Sequence, residues 1–278
     1  MTAKKKTTSQ PAPDQPPPAA RPSPTPAPEE DQFSRISPFY DELMASVPYS
    51  DWVDYIEQVM AAYKFAPTDL LDVACGTGTV AIMLAQRGYR VVGTDVSEAM
   101  LQVARSKAAQ LGLDLPFHQQ DAAKLKLLQK FDLALCLYDS FNYILEEKQL
   151  LAAFRAVRRA LRPGGAFFFD MNSLHSFQAE LFTQQSEPGE VPGYRWTSQF
   201  DPLTMLAQVE MYFEPPAGEP FTIYQHQRAY LVEEIAEMLE KAGLEIVQLF
   251  NAYSLLPPGR CSERIFYLAQ RPAPARKA

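Results

Sequence analysis

From residue 68 onward, short apolar runs alternate with longer stretches whose apolar residues recur with helical spacing. This alternation is typical of successive β-α-β units, in which helices cover both faces of a parallel sheet. Strands covered on both faces are apolar along most of their length, as residues 70–74 and 166–169 are. We therefore predict five strands, at residues 69–74, 90–95, 115–119, 131–137 and 165–170.

The helices predicted around these strands carry start and stop signals. Ser97 is a residue typical of the N-cap position, and it precedes an apolar stripe that includes Met100. A second helix is predicted over residues 146–161, with Pro163 ending it and the two following glycines reversing the chain. Further amphipathic patterns lie at residues 37–44, 52–60 and 231–243.

Residues 171–230 break this pattern. Apolar residues from Met205 to Phe213 alternate with more polar neighbours, as they do from Phe221 onward, and such alternation predicts antiparallel strands with one exposed face. We interpret the segment as a small β insertion that acts as a substrate lid. The apolar runs at 244–250 and 264–269 predict a final strand pair.

The predicted fold class is therefore α/β: a Rossmann-like doubly wound sheet, mostly parallel with an antiparallel terminal strand, plus the antiparallel insertion. Residues 33–170 and 231–271 would form the main domain, with helices at its N-terminal end. Residues 1–32 hold 9 of the 24 prolines and almost no large apolar residue, so we expect a disordered tail. Residues 272–278 are expected to be disordered as well.

Composition excludes several classes of function. The formal net charge is −7, which argues against a broad nucleic-acid surface. No apolar stretch is long enough to span a bilayer or to serve as a secretory signal, so a cytoplasmic protein is expected. The three cysteines lack Cys-x-x-Cys spacing, so neither a disulfide framework nor a metal site is predicted.

A glycine-containing turn follows the first predicted strand and opens a helix. It reads Asp72-Val-Ala-Cys-Gly76-Thr-Gly78-Thr-Val-Ala81. Gly76 and Gly78 permit close backbone approach, and Ala81 permits close packing of the helix on the strand. A turn of this kind binds nucleotides, but taken alone it fits a dinucleotide as well as other nucleotide cofactors.

Two carboxylates narrow the choice of ligand. Asp95 ends the second strand, 19 residues after Gly76, where it can accept hydrogen bonds from both hydroxyls of a ribose. Asp72 stands where a dinucleotide enzyme brings in a pyrophosphate, and a carboxylate there repels phosphate and attracts a cation. S-adenosylmethionine has a ribose, a sulfonium and an ammonium but no phosphate, so it suits this arrangement better than NAD.

These motifs, in this order, resemble those of class I S-adenosylmethionine-dependent methyltransferases: the turn from Asp72 to Gly78, then Asp95, Gln120-Asp121-Ala122, and Leu161-Arg-Pro-Gly-Gly165. Residues 39–52 and 138–143 resemble a bacterial small-molecule branch of the family, which has a β insertion after the fifth strand. The resemblance covers roughly residues 33–271. It implies an enzyme that methylates N or O of a small molecule by in-line displacement.

The resemblance also implies roles for single residues. Asp95 would bind the ribose hydroxyls, Asp121 the adenine amino group with Ala122 beside it, and Tyr40 would close over the cofactor. Gly76 and Gly78 would approach the methionine portion, and Leu137 would contact the cofactor from the fourth strand. The remaining cofactor-site residues would be Asp72, Ala74, Thr77, Val96 and Met100.

The acceptor side is less defined by sequence. Tyr138, Asp139 and Tyr143 follow the fourth strand at the carboxyl edge of the sheet, where ligands of α/β proteins bind, so we expect them near the substrate. Candidates for a base are Asp139, Tyr143 and His175, with His226 as a further one. Trp52 is interpreted as core.

Two alternatives stay open at this point: an NAD-dependent oxidoreductase, and a non-catalytic nucleotide-binding scaffold whose Pro-rich tail recruits a partner. The expected partner is a small-molecule methyl acceptor, without nucleic acid or membrane. The oligomeric state, monomer or homodimer, is left open.

Overall fold

The computed structural model describes residues 33–273. The tail predicted at 1–32 and residues 274–278 of the predicted C-terminal segment lie outside the described residues. Within the described range, no helix has the length and apolar character needed to cross a membrane.

Two sheets and their flanking helices account for the regular structure of this range. The strands are Asp69–Val73 (β1), Arg90–Asp95 (β2), Phe117–Gln119 (β3), Phe131–Cys136 (β4), Leu161–Asn172 (β5), Gln184–Gln185 (β6), Gly193–Asp201 (β7), Leu206–Glu214 (β8), Phe221–Arg228 (β9), Glu245–Asn251 (β10) and Arg264–Gln270 (β11). The helices are Tyr40–Leu43 (α1), Tyr49–Ala62 (α2), Thr79–Gln86 (α3), Glu98–Gln110 (α4), Glu147–Ala160 (α5), Leu174–Gln178 (α6) and Val232–Ala242 (α7).

The larger sheet of the described range has seven strands in the order β10-β11-β5-β4-β1-β2-β3. Neighbours from β5 to β3 pair in parallel, and β11 runs antiparallel to both β5 and β10. The predicted Rossmann-like sheet with an antiparallel terminal strand is thus confirmed. The chain leaves β1 toward β2 and β3 on one side and returns to β4 on the other. This switch point between β1 and β4 is where open α/β sheets bind ligands.

Both faces of this sheet are buried. Phe167 and Phe169 pack on the face covered by α5 and α7, whereas Phe168 packs on the face covered by α2, α3 and α4. The continuous apolar run in β5 exists because neighbouring side chains along a strand point to opposite faces, and here each face has its own helices to contact.

Local signals explain where most helices begin and end. The Ser97 hydroxyl accepts a hydrogen bond from the backbone N–H of Met100 at 3.2 Å and caps α4, as predicted. The expected turn at Leu161-Arg-Pro-Gly-Gly165 is wrong in one respect. Helix α5 ends at Ala160, before Pro163, and the segment already belongs to β5. The strand is irregular here, since Gly164 has a φ of 83° and the register with β4 shifts between Leu161 and Ala166. Gly164 donates to the Arg271 carbonyl at 2.8 Å, and the Gly165 carbonyl accepts from the Arg271 N–H at 2.9 Å.

The second sheet is antiparallel, with the order β6-β7-β8-β9 among the described residues, which confirms the predicted insertion. Along β8 the buried side chains alternate with outward ones, as the sequence pattern predicts. The inward face packs on the N-terminal segment and on the first turn of α4. The buried residues of this shared cluster are Ile36, Phe39, Met100, Val209, Met211, Phe213 and Ile223. The cluster holds the second sheet and the N-terminal segment together over the carboxyl edge of the larger sheet.

Candidate functional site

A cavity of about 490 Å³ lies at the carboxyl ends of β1, β2 and β4. Its walls come from the strand ends, the N-terminal helices, the second sheet and the loop between β10 and β11. Cavities of this size hold small ligands and cofactors. The cavity has two chemically different ends, one at the glycine-containing turn and one at the residues that follow β4.

The turn after β1 is held in a left-handed conformation. Ala74, Gly76 and Gly78 all have positive φ, at 56°, 54° and 74°. A Cβ on Gly76 would meet nothing within 4 Å, because this residue faces the cavity. A Cβ on Gly78 would lie 2.8 Å from the Phe117 ring and 2.9 Å from Ala104. The first glycine thus leaves room for a ligand, whereas Gly78 permits packing behind the turn and does not line the cavity.

Asp95 is held by the backbone around it. Its Oδ2 accepts a hydrogen bond from the Gly76 N–H at 2.8 Å, and its Oδ1 accepts one from the Ser97 N–H at 2.8 Å. Charge-assisted bonds of this kind fix the orientation of a carboxylate. A carboxylate has about four lone-pair sites, so a group held in this way can still accept hydrogen bonds from a ligand in the cavity.

Asp72 lines the cavity beside Asp95 and differs from it in having no hydrogen-bond donor to its carboxylate within residues 33–273. It is buried, and among the described residues no hydrogen bond to its carboxylate lowers its pKa. Burial, and then the nearby Asp95 carboxylate, raise the pKa of Asp72 to about 7. A carboxylate in this state is stabilised by a cationic or hydrogen-bond-donating group of a ligand.

An N-terminal contact ties α1 to this end of the cavity. The Thr77 hydroxyl donates to Asp41 at 2.6 Å, and Lys107 of α4 forms an ion pair with the same carboxylate at 2.6 Å. Lys107 also donates to the Thr79 hydroxyl at 2.8 Å. The N-terminal segment that carries Tyr40 is thereby linked to the turn and to α4.

At the other end of the cavity, the chain leaves β4 in a strained conformation. Tyr138 and Asp139 have φ values of 64° and 50°, which non-glycine residues adopt at a cost. The Asp170 carboxylate holds them there, because it accepts from the Tyr138 N–H at 2.7 Å and from the Asp139 N–H at 2.9 Å. Asp170 is fully buried at the end of β5.

One guanidinium joins the two buried carboxylates. Arg264, the first residue of β11, donates from one terminal nitrogen to Asp170 and from the other to Asp139, the latter at 2.9 Å. Gln227 of β9 donates to the second Asp139 oxygen at 3.0 Å. Burial raises the pKa of Asp139 to about 6, although Arg264 acts to lower it and Asp170 acts to raise it.

Aromatic rings surround this charged group. Trp52 and Tyr138 stack with ring centroids 5.5 Å apart, and Tyr253 lies 5.2 Å from Trp52. The Arg264 guanidinium lies over both stacked rings, 5.9 Å from Trp52 and 5.5 Å from Tyr138. Trp52, interpreted from sequence as core, is buried and also lines the cavity.

Most of the residues proposed from sequence meet in this cavity. Those that line it are Tyr40, Asp72, Ala74, Gly76, Thr77, Asp95, Val96, Met100, Leu137, Tyr138, Asp139 and Tyr143. Those that do not are Gly78, Asp121, Ala122 and His175. Asp121 instead caps the turn Ala122–Lys124, accepting from the Ala123 N–H at 2.8 Å, and pairs with Lys124 at 3.0 Å. His175 lies in α6, and His226 is exposed on the outer face of β9.

Sequence reasoning missed several residues of the acceptor end: Asp170, Asn172, Gln225, Gln227, Tyr253 and Arg264. Weak signals for some of them exist. Asp170 and Arg264 each stand at the end of an otherwise apolar strand, and Gln225 and Gln227 occupy the inward positions of an alternating one. A polar residue at an inward or buried strand position needs a partner, and here the partners are Tyr143 and Asp139.

Comparison with known proteins agrees with this geometry. A family model described as a methyltransferase domain matches residues 70–165. The protein YqeM of Bacillus subtilis, whose name places it among the methyltransferases, is 33% identical over 246 residues, which cover 86% of this chain and 97% of that protein.

Solved structures show the same relationship. An S-adenosylmethionine-dependent methyltransferase from Clostridium acetobutylicum is 30% identical, with a TM-score of 0.77 over 87% of this chain and 99% of that one. CalS10 of Micromonospora echinaspora, an amino pentose methyltransferase, was solved with S-adenosylmethionine bound. It shares the fold at 21% identity, with a TM-score of 0.67 over 84% of this chain and 95% of CalS10. Identity of 30% or more along nearly the whole length of such proteins reflects common descent, and the chain belongs to the class I S-adenosylmethionine-dependent methyltransferases.

Proposed function

We propose that the protein methylates a nitrogen or oxygen atom of a small molecule, which binds between Tyr138–Asp139 and the glycine-containing turn. One observation carries this proposal. The same cavity is lined at one end by the glycine-containing turn and at the other by aromatic and acidic side chains, among them Trp52, Tyr138 and Asp139. The walls include the second sheet and the N-terminal helices, so the acceptor has to fit inside. Family membership decides against the oxidoreductase alternative.

The residues at the turn fit S-adenosylmethionine. Asp72 is a buried carboxylate without a hydrogen-bond donor among the described residues, and it matches the ammonium of the methionine portion. Gly76 presents open space at its Cα, which would let the methionine portion approach the backbone. Asp95, held by two amides, would accept hydrogen bonds from the ribose hydroxyls.

The apolar lining suits the rest of the cofactor. Val96, Met100 and Leu137 line the cavity beside Asp95 and provide contacts for the adenine ring and its linkage. Asp121 and Ala122 lie outside the cavity lining, and they stay proposed for the adenine amino group, because the Asp121 carboxylate keeps lone pairs beyond its bonds from Ala123 and Lys124. Tyr40 is proposed to cover the cofactor from the N-terminal segment.

When bound, S-adenosylmethionine supplies a methyl group on a sulfonium. Transfer of that methyl group needs no covalent enzyme intermediate. The contribution of the chain is alignment and exclusion of water. Asp95 and Asp72 fix one side of the cavity, and the stacked Trp52 and Tyr138 confine the acceptor on the other. Holding two reactants in line is worth several orders of magnitude in rate.

The test is calorimetric titration of the protein with S-adenosylhomocysteine. Asp95→Ala should weaken binding by about 1–3 kcal/mol, or about 5- to 150-fold, because the ribose hydroxyls lose their acceptor and Gly76 loses its anchor. The matched control is Asp114→Ala, which removes an exposed carboxylate outside the cavity and should leave affinity unchanged. Unchanged affinity in Asp95→Ala would remove Asp95 from the site. A wild-type protein that binds NAD but not S-adenosylhomocysteine would overturn the proposed function.

A further inference from the structure

The charged side chains that line the cavity are mostly acidic. Among the described residues they are Asp72 and Asp95, at the end proposed for the cofactor, and Asp139 and Glu263, with Arg264 as the cationic side chain of the lining. Arg264 directs its two terminal nitrogens to Asp139 and to the fully buried Asp170. Two buried carboxylates thus share one cation at the acceptor end. An acceptor that carries a carboxylate or phosphate would add to this negative charge, whereas a cation would offset it.

The aromatic residues at the same end favour the same class of ligand. The faces of Trp52 and Tyr138 already contact a cation, the Arg264 guanidinium, at 5.9 Å and 5.5 Å. Ammonium groups are attracted to aromatic faces, most strongly where water is excluded. Tyr40, Tyr143 and Tyr253 extend this wall around Asp139.

We propose that the acceptor is a primary or secondary amine that enters as its ammonium form and gives a proton to Asp139, while Arg264 and Gln227 position the carboxylate. This inference rests on the proposed function. It assigns Asp139 as a catalytic residue, because its carboxylate touches the reacting nitrogen.

An N–H bond of the ammonium breaks, its proton passes to a carboxylate oxygen of Asp139, and the electron pair stays on nitrogen. That pair forms the N–C bond to the methyl carbon while the C–S electron pair goes to sulfur, which leaves a methylated ammonium product. Asp139 then releases its proton to solvent. Burial of both groups lowers the cost of the first step, since desolvation favours the neutral amine and the neutral acid.

The groups that face Asp139 are distributed over several elements. Arg264 faces it from β11 and Gln227 from β9, both through hydrogen bonds, and Asp170 lies beside it at the end of β5. Four tyrosines lie around it: Tyr40, Tyr138, Tyr143 and Tyr253. The pKa of Asp139 is raised to about 6, so it is ionised at neutral pH and titrates below it.

Three probes that share one ring test the class of acceptor: benzylamine, benzyl alcohol and benzoate. Thermal unfolding is followed with saturating S-adenosylhomocysteine and with all three probes at one common concentration, about four times the dissociation constant of benzylamine, which gives a shift of about 2–4 °C for benzylamine. We expect a shift with benzylamine and none with benzoate. An equal or larger shift with benzyl alcohol or benzoate, or no shift with any probe, overturns the proposal.

Asp139→Asn tests the residue itself, with Asp51→Asn, an exposed carboxylate on α2, as the matched control. The benzylamine shift should disappear in Asp139→Asn and persist in Asp51→Asn; persistence in both variants refutes the assignment. In the wild type, the benzylamine shift should decline as pH falls through about 6. Asp72, with a pKa of about 7, titrates nearby, and a change at Gln227 separates the two, because Gln227 bonds to Asp139 and does not act on the pKa of Asp72.

Gln227→Leu tests the positioning role and stays informative if Asp139→Asn does not fold. The hydrogen bond from Gln227 lowers the pKa of Asp139 in the wild type. The variant lacks this bond, so the pH at which half of the benzylamine-induced shift in melting temperature is lost should be higher. An unmoved midpoint would contradict the role. If S-adenosylhomocysteine itself fails to stabilise the wild type, the proposed function is refuted; if it stabilises the protein but amines are not preferred, only this inference is refuted.

Discussion

Replacing Arg264 by methionine removes the guanidinium that stands between two buried carboxylates. Methionine retains much of the side-chain volume but cannot donate a hydrogen bond. Asp170 would keep its bonds from the Tyr138 and Asp139 amides, and Asp139 would keep the one from Gln227. Both carboxylates would lose their cation, and they would face each other in a buried environment.

Breaking a buried ion pair by removing one partner costs about 3–5 kcal/mol, because an uncompensated charge remains. For a folded part of this size, each kcal/mol lowers the melting temperature by about 2–4 °C. The expected fall for Arg264→Met is therefore about 6–20 °C. Arg90→Met is the matched control, because Arg90 pairs with Asp69 at 2.6 Å but its side chain is 67% exposed. Asp69 is buried but keeps its ion pair with Arg162 at 2.8 Å, so the control should lose about 0–1 kcal/mol, as for an exposed pair, and fall by about 4 °C at most.

The loss of stability in Arg264→Met should also depend on pH. Arg264 lowers the pKa of Asp139, so the pKa in the variant lies above the native value of about 6. A carboxyl group with a raised pKa binds a proton in the folded state that the unfolded chain releases, so stability falls as pH rises through this range. The stability deficit of Arg264→Met relative to the wild type should be largest near about pH 8 and smaller near about pH 6.

Calorimetric melting of both variants and the wild type across this pH range measures these effects. A fall in melting temperature no larger than that of Arg90→Met would show that the buried network contributes little to the fold. A deficit that does not change with pH would show that Asp139 does not gain a proton in the variant, and the reasoning about its pKa would be refuted.

Two further predictions concern the turn and the helix beside it. Gly78→Ala should destabilise the protein by about 1–3 kcal/mol, because the new Cβ meets Phe117 and Ala104 at under 3 Å at a positive φ; a melting temperature within 1 °C of wild type would contradict this. Ser97→Ala should cost about 1 kcal/mol through loss of the α4 cap at Met100, measured by chemical denaturation, whereas Ser106→Ala, on the same helix and away from the cap, should cost less.

The larger sheet could be predicted because its signals are local. The strand at Phe131–Cys136 and the cap at Ser97 follow from runs of a few residues. Asp95 and Gly76 are only 19 residues apart, and both belong to one β-α-β unit, so their meeting follows from topology. The exception is Leu161–Gly165, which begins β5 directly after α5 as an irregular stretch of strand, with Gly164 at a φ of 83°. Backbone bonds to Arg271, more than 100 residues away, hold this stretch on the sheet and are not visible in the local sequence.

The acceptor end could not be predicted in the same way. Asp139 and Arg264 are 125 residues apart, and their contact depends on β11 lying against β5 in antiparallel register. Gln227 reaches the same carboxylate from the second sheet, 88 residues away. Asp121, which the motif order places beside the adenine, caps a local turn and does not line the cavity, so its role as a ligand contact stays a prediction. A motif gives the position of a residue in the chain but not the direction of its side chain.

The composition of the acceptor end argues for a role in binding rather than in stability. Desolvating Asp139, Asp170 and Arg264 costs several kcal/mol per ion, and well-packed apolar residues of similar volume are often as stable or more so. The group also holds Tyr138 and Asp139 in a left-handed conformation that costs further energy. With both carboxylates ionised, Asp139 and Asp170 carry two negative charges and Arg264 carries one positive charge, so the group has a net charge of −1. A cationic acceptor would supply that charge at the wall where Asp139 lies, and this links the buried network to the amine chemistry proposed above.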